Sequence, residues 1–500
     1  MVRDCGGVAG PRTKASRRQE KEESVDPIEF YDTRTRCRRI FEPLEPGRVG
    51  MYSCGPTVYA PPHIGNLRSR LFSDLLKRFL QSEGFEVTHV INITDVGHLV
   101  SDADEGEDKI EAAARREGKS ALEIAEHFTQ LWRDDGAAVN CQPPEHNPKA
   151  TEHIPEQIEL ARKLEVGGYL YRIEDGLYFD TSRFPPYAEL AGLALAGQAE
   201  GARVGVTEGK RNPADFAVWK FAEAGVSRLQ EWDSPWGRGF PGWHLECSAM
   251  SVRYLGPRFD IHTGGVDLAT VHHTNELAQS ECGFGVHPWV SFWMHNEFLD
   301  LRGSDGSEKM SKSKGNVKTL SDLVARGIDP LAFRYFCLQA HYRQQQTFTD
   351  EAIGAAAKGF KRLQTVAAEL EREEAEGSAD VQAPYRARFR GALADDLHAP
   401  RAMAVVWEVA RSDELAAADR RDLLRAFEPV LGLRLGEAPA GAAVDERERD
   451  PRIDGMLEER QAARAAKDWA IADRIRDELV AEGIEIVDTP AGARWKRAAE

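Results

Sequence analysis

Val49-Gly-Met-Tyr-Ser53, Cys54-Gly-Pro-Thr-Val-Tyr-Ala-Pro-Pro-His63 and Ile64-Gly-Asn66 run consecutively in this 500-residue chain. The first five residues form a short β-like run, and the next ten are rich in turn formers. From Asn66 onward, apolar residues at 67, 71, 72, 75, 76, 79 and 80 follow the helical period. Gly84 stops that helix, and Glu86-Val-Thr-His-Val-Ile-Asn-Ile93 reads as a near-continuous buried strand. Strand, helix, strand of this length is a βαβ unit, which predicts a parallel sheet with a right-handed crossover. It also places His63–Asn66 at a helix start, where unpaired N–H groups and a partial positive charge suit phosphate. Gly65 lets a ligand approach the backbone closely. His63 is placed to donate to a phosphate oxygen, and Asn66 to cap the helix or hold a nucleotide. Taken alone, the tetrapeptide is equally well a loop histidine beside an ordinary cap.

Working outward, residues from Ile28 to about Gln344 alternate β-like runs with helical patterns and are dense in aromatic residues, Gly and His. After Thr347 the composition shifts to Ala, Leu, Glu and Arg. Helical periods cover roughly 350–374, 383–396, 400–411 and 415–430, the pattern of a helix bundle. An Ala-, Gly-, Pro- and charge-rich stretch at 434–451 reads as a linker. Beyond it come one helix over about 454–482, Gly483 and an extended Ile484–Val487. The expected organisation is a flexible tail (1–27), an α/β domain with a Rossmann-type parallel sheet and an inserted segment (28–345), an α-helical bundle (346–435), a linker (436–451) and a small C-terminal module (452–500). At roughly 150 residues per domain, this length suits about three domains.

Composition excludes several classes. With 29% charged and 42% apolar residues, neither disorder nor a fibre dominates. The 65 Lys and Arg against 82 Asp and Glu give a net charge of −17, so any RNA contact must come from local basic surface. Seven widely spaced cysteines with no CxxC pair fit a reducing compartment, and the cytoplasm is the expected location. No run of 18 apolar residues exists, and the first 24 residues lack the apolar region of a secretory signal.

Two further groups could carry chemistry. Lys309-Met-Ser-Lys312-Ser313, then Lys314-Gly-Asn316, sits in a Gly- and Ser-rich loop. Its lysines could close over a triphosphate and act where negative charge builds on departing pyrophosphate. Basic loops are more often solvated faces, but pairing this one with His-Ile-Gly-Asn about 245 residues earlier is much more specific than either alone. The second group is dispersed: Cys54, Trp243-His-Leu-Glu-Cys247 and Val271-His272-His273-Thr-Asn-Glu276. His272 and Glu276 share a face if Val271–Ser280 is helical. Cys54, Cys247, His272 and Glu276 would give zinc four S, N and O ligands. His273, His262 and His244 are rival nitrogens, and a free cysteine is more commonly a small buried hydrophobe. Thr94 and Asp95 close the second strand, while Asp260-Ile-His-Thr-Gly-Gly265-Val-Asp267 is another strand running into glycines. Both ends suit a ligand crevice.

In order along the chain, CGPTVY…HIGN, GWHLECSAMS, DIHTGGVD…HHTNELAQSE and EKMSKSKGN resemble the cysteinyl-tRNA synthetases, a family of class I aminoacyl-tRNA synthetases. The resemblance runs from about Tyr31 to Arg497 and includes DDLHAP at 395–400. It implies one zinc held by Cys54, Cys247, His272 and Glu276. It also implies ATP contacts from His63, Gly65, Asn66, Asp267, Lys309 and Lys312, with His63, Lys309 and Lys312 serving catalysis. Gly55, Thr94 and Trp243 would line the amino-acid pocket. Asn66 stands where the family's first signature more commonly ends in histidine, Gly97-His98 replaces a pair of aspartates, and Thr270-Val271 and Thr274 flank the histidine pair atypically. The implied partners are L-cysteine, ATP with Mg²⁺ and tRNA(Cys), read by the bundle and the C-terminal module of a monomer. A cysteine:amino-sugar ligase of the mycothiol-biosynthesis type would share the zinc and both signatures, but has no need of the C-terminal part. A silent RNA-binding paralogue or a plain nucleotide-binding regulator would not need the intact lysines and ligand set.

Overall fold

The computed structural model describes residues 26–97, 109–191, 209–222, 228–303, 306–309, 318–437, 451–465, 468–482, 484–489 and 492–497. The expected tail up to residue 25, His98, Lys312 and most of the linker lie outside them.

The run at 49–53 is a strand, β1 (Arg48–Ser53), and the helical period after it is α1 (Ile64–Ser82). The helix starts two residues before Asn66, and its cap is His63, with Asn66 at the third helical position. Gly84, at φ +88°, takes the left-handed turn that ends the segment. The following strand, β2 (Glu86–Ile91), is shorter than the apolar run. Ile93 and Thr94 leave it to bridge Lys149 and Thr57 separately. β1 and β2 are parallel, as the βαβ pattern requires.

The sheet is completed from far along the chain by β3 (Phe259–Gly265) and β4 (Val290–Asn296), in the order β4-β3-β1-β2 with every pair parallel. Alternate residues face opposite sides. Met51 and Phe292 join a core with α1, whereas Tyr52 and Trp293 join a second core with Met250 and Leu277. Those last two belong to α2 (Trp243–Leu255) and α3 (His272–Phe284), so helices cover both faces. Between β2 and α2 lies an insertion containing a four-stranded antiparallel sheet of 170–173, 176–179, 216–221 and 239–241.

After α4 (Pro330–Leu338), the later helical periods become α5 (Asp350–Leu370), α6 (Ala379–Ala394), α7 (Ala399–Arg411) and α8 (Ala417–Leu431). Their apolar faces, including Phe333, Phe360, Val406 and Phe427, share one core with Leu71 and Phe79 of α1. Residues up to Gly436 accordingly form one compact unit, and those from Glu437 form another. In the second unit the single helix expected over 454–482 is two, α9 (Pro451–Ala465) and α10 (Trp469–Ala481). Asp468 accounts for the break, because its carboxylate caps the new helix by accepting from the Ile471 N–H. The extended piece after it is the first arm of an antiparallel hairpin, β5 (Ile484–Thr489) with β6 (Gly492–Arg497).

Candidate functional site

Because β1 to β4 are parallel, their C-terminal ends open on the same edge, the position of the ligand crevice in such sheets. Cys54 follows β1, Asn92 and Thr94 follow β2, Gly264 and Gly265 close β3, and His295 lies at the end of β4. α2 adds Trp243 and Cys247, four residues apart on one face. α3 adds His272, His273 and Glu276 within its first turns.

Four donor atoms, one each from Cys54, Cys247, His272 and Glu276, lie within 4.8 Å of one another. The two Sγ atoms are 3.8 Å apart, and Cys54 Sγ is 3.5 Å from Glu276 Oε1. Tetrahedral zinc with Zn–S bonds of about 2.3 Å and Zn–O bonds of about 2.0 Å requires separations of about 3.8 and 3.5 Å. His272 turns Nδ1 to His244 Nδ1 at 2.8 Å and Nε2 to Glu276 Oε1 at 2.9 Å, so a second imidazole orients its ring. The donor set and its spacing therefore fit zinc. A second grouping, Cys54, His262, His273 and Glu276, meets the same distance limit but offers one sulfur instead of two.

Burial would push the Glu276 carboxyl up, yet His262 and His272 beside it hold it at about 2. Burial likewise opposes a charge on His272, and Glu276 overrides it, raising the imidazole to about 10. Desolvation drives the Cys54 thiol upward, with Cys247 adding to the rise. Burial also opposes the Cys247 thiolate, but the hydrogen bond from Cys54 and the nearby His272 bring it below the ordinary thiol value. The cluster thus favours an ionised Glu276 carboxylate and eases ionisation of the Cys247 thiol, whereas Cys54 and His272 hold protons that a bound cation would have to displace.

The residues expected to line an amino-acid pocket gather around this cluster. Trp243 is half-buried, with its ring centroid 4.3 Å from that of His272. The Gly55 N–H donates to Asn92 Oδ1 at 2.8 Å, and an added Cβ there would overlap the Asn92 carbonyl oxygen. Thr94 is buried, and its hydroxyl accepts from the Asn92 side-chain amide at 3.1 Å. Of the five tryptophans between residues 232 and 293, Trp289 and Trp293 are fully buried, the latter stacked on His262. Trp232 and Trp236 pack with Trp219 in the insertion.

The first signature forms a reciprocal cap: the Asn66 N–H donates to His63 Nδ1, and the His63 N–H donates to Asn66 Oδ1, both at 3.2 Å. Gly65 lies between them in the first turn. The Ile64 N–H donates to the carbonyl of Lys318 at 2.9 Å. That bond joins the first signature to the residue just beyond the lysine loop. Lys309 ends a short strand, Gly306–Lys309, opposite Asp300. Asp267 is exposed on the short helix Val266–Thr270 that follows β3.

Sequence reasoning did not single out His295. Its Nε2 lies 2.7 Å from His273 Nδ1, and its Nδ1 lies 2.8 Å from Thr33 Oγ1. His273 Nε2 is in turn 3.2 Å from Cys54 Sγ. The available signal was a histidine closing an apolar parallel strand at the crevice edge.

Comparison with known proteins adds a family. The model for the class I (C) tRNA synthetase catalytic domain matches residues 40–358. A cysteine--tRNA ligase 1 from Burkholderia lata is 50% identical over 469 residues, covering 94% of this chain and 96% of the relative. A cysteine--tRNA ligase from Novosphingobium aromaticivorans is 44% identical over 491 residues, covering 94% of this chain and 97% of its own. Among solved structures, a Mycobacterium tuberculosis methionyl-tRNA synthetase bound by methionyl-adenylate is similar with a TM-score of 0.53 and 16% identity, over 77% of this chain and 92% of that one. The LeuRS–tRNA–LeuAMS complex of Agrobacterium radiobacter gives 0.57 and 12%, over 79% and 85%. At these identities the structural likeness shows the shared fold.

Proposed function

The chain belongs to the cysteine--tRNA ligases, class I tRNA synthetases, and on that premise we propose that it joins L-cysteine to tRNA(Cys) through a cysteinyl-adenylate, using zinc at Cys54, Cys247, His272 and Glu276 to select the amino acid. The observation that carries this reading is the convergence of two sulfurs, an imidazole and a carboxylate within 4.8 Å. Cysteine and serine are near-isosteres, and packing contacts alone separate such pairs weakly. A zinc ion held by these four residues supplies a soft Lewis acid that takes a thiolate far better than an alcohol.

The chain's own residues supply position and charge. Trp243 walls the pocket beside His272, and the close approach at Gly55 and the buried Thr94 shape its other side. The cysteine carboxylate attacks the α-phosphorus of ATP and pyrophosphate leaves. A terminal ribose hydroxyl of the tRNA then attacks the activated carbonyl and AMP leaves. No enzyme nucleophile takes part, so catalysis is positioning and charge stabilisation. His63, Gly65 and Asn66 present the start of α1 to the nucleotide, Asp267 faces its adenylate part, and Lys309 and Lys312 meet the charge growing on pyrophosphate, with Mg²⁺ accompanying ATP. The bundle and the C-terminal module take the tRNA. The described cysteines are free thiols, and no helix among the described residues is long and apolar enough to cross a membrane. On the reading proposed here the enzyme works as a monomer in the cytoplasm.

The deciding assay offers purified protein cysteine, ATP and either tRNA(Cys) or an amino-sugar acceptor; charging of the tRNA is expected. Cys247→Ser should lose bound zinc by elemental analysis together with cysteine-dependent ATP–pyrophosphate exchange. Full zinc stoichiometry in that variant, or a parent enzyme that activates serine as readily as cysteine, would overturn the selectivity reading.

A further inference from the structure

We propose that the cleft where α4, α5 and α7 meet is a docking groove for the phosphodiester backbone of the substrate tRNA, an inference that rests on the function proposed above and names the surface involved. The cleft has a volume of about 340 Å³. Its floor is aromatic and fixed: Trp407 Nε1 donates to the Tyr335 hydroxyl at 2.8 Å, and Tyr335 is buried. Gly359 leaves room over that ring, since an added Cβ would lie 3.2 Å from the Tyr335 hydroxyl. Lys358 and Arg362, one helical turn apart, line one side from α5. Arg411, the last residue of α7, lines the other, with its guanidinium 4.2 Å from the centre of the Trp407 ring.

Charge decides what such a groove holds. Elsewhere on the bundle five arginines are matched: Arg388 pairs with Glu408, Arg390 with Glu83, Arg401 with Asp395, Arg421 with Asp422 and Arg425 with Glu371. Lys358, Arg362 and Arg411 pair with no described carboxylate, and no carboxylate lines the cleft. On a chain of net charge −17 a polyanion is repelled overall and must be received by local basic surface. Unmatched cations lining a cleft with an indole, one of them stacked on it, are also components that recur where proteins grip RNA strands. Position agrees, because α5 begins at Asp350, whose carboxylate meets Lys318 at 3.3 Å just beyond the lysine loop. From there Lys358 and Arg362 lie about 12 and 18 Å along the helix axis. An RNA with its 3′ end at the crevice would run past them.

The test is binding of a tRNA(Cys) transcript, followed by fluorescence anisotropy over a salt series, with the full-length parent, Arg362→Gln/Arg411→Gln, and Lys361→Gln as control. Lys361 is exposed on the same helix but outside the cleft. The double variant should bind about tenfold more weakly, and its log–log salt slope should fall in magnitude by about 2, near one unit per lost phosphate contact. Cysteine-dependent pyrophosphate exchange should stay within about twofold of the parent, since small-molecule activation does not use the groove. A double variant whose affinity and slope match those of the parent or of Lys361→Gln overturns the proposal, as it would if the groove served an acidic protein instead. Anisotropy does not depend on cysteine activation. A parent that binds the tRNA but fails exchange would overturn the activity, while the groove would stand or fall on the binding data.

Discussion

Gly55 shows how narrow the tolerances are at the crevice. Its amide is held by the Asn92 side chain, and the Asn92 carbonyl oxygen occupies the space any Cβ would need. Backbone opposes backbone, so no rotamer change relieves the overlap. Gly55→Ala should therefore displace the loop carrying Cys54, cost about 1–3 kcal/mol in denaturant unfolding, and reduce cysteine-dependent pyrophosphate exchange at least tenfold. An alanine variant with parental stability and exchange would show that the loop is free to shift. His63 and Asn66 carry a related lesson. The sequence placed Asn66 as a possible cap, but the structure makes the two residues cap each other, with His63 as the N-cap. Both positions were legible in the sequence, whereas the division of labour depended on backbone angles that no residue pattern states.

At the level of elements, α1 is the hinge of the architecture. It begins at the first signature and packs along its length against the bundle. Midway, Asp74 is buried and meets Arg334 of α4 at 2.6 Å and Arg78 at 2.8 Å. Arg334 also donates to the carbonyls of Leu431, Val139 and Asn140, which binds α1, α4 and the end of α8 together. Burial alone would raise the Asp74 carboxyl, but Arg334 and Arg78 keep it below its ordinary value. Removing one partner of such a pair strands a buried charge. Arg334→Met should cost about 3–5 kcal/mol, and Asp74→Asn/Arg334→Met should recover part of that loss, both read from urea unfolding. Strictly additive losses would show that the two groups do not depend on each other. The periodicity of α1 and of the bundle helices was readable because each repeat spans only three or four neighbours. The ion pair was not, since 260 positions separate its partners.

Across the whole molecule, the boundary at Gly436 divides two separately closed cores. The second is small, built on Ile453, Leu457, Ile475, Leu479 and Ile484. A chain ending at Gly436 should retain the main cooperative unfolding transition and cysteine-dependent exchange, while its kcat/KM for charging tRNA falls at least tenfold. If exchange and charging fell together, the C-terminal unit would be supporting the catalytic fold instead of engaging RNA. Calorimetry and the two assays on one preparation would separate these outcomes.

The sequence by itself determined the βαβ unit, the helical run after Thr347, the order of the signature segments and the residue types available to a metal. Each of these is written in local period, turn chemistry or motif, and so needs only nearby residues. Tertiary structure decided which donors meet. Cys54 and Cys247 stand 193 positions apart, yet their sulfurs lie 3.8 Å from each other. They meet because β1 and β3 are hydrogen-bonded neighbours that open on one edge, with α2 and α3 packed over it. The same packing places His244 against His272, His273 beside Cys54 and His295 against His273. No spacing along the chain encodes those pairings, because they arise from which strands adjoin and how the helices rotate onto them.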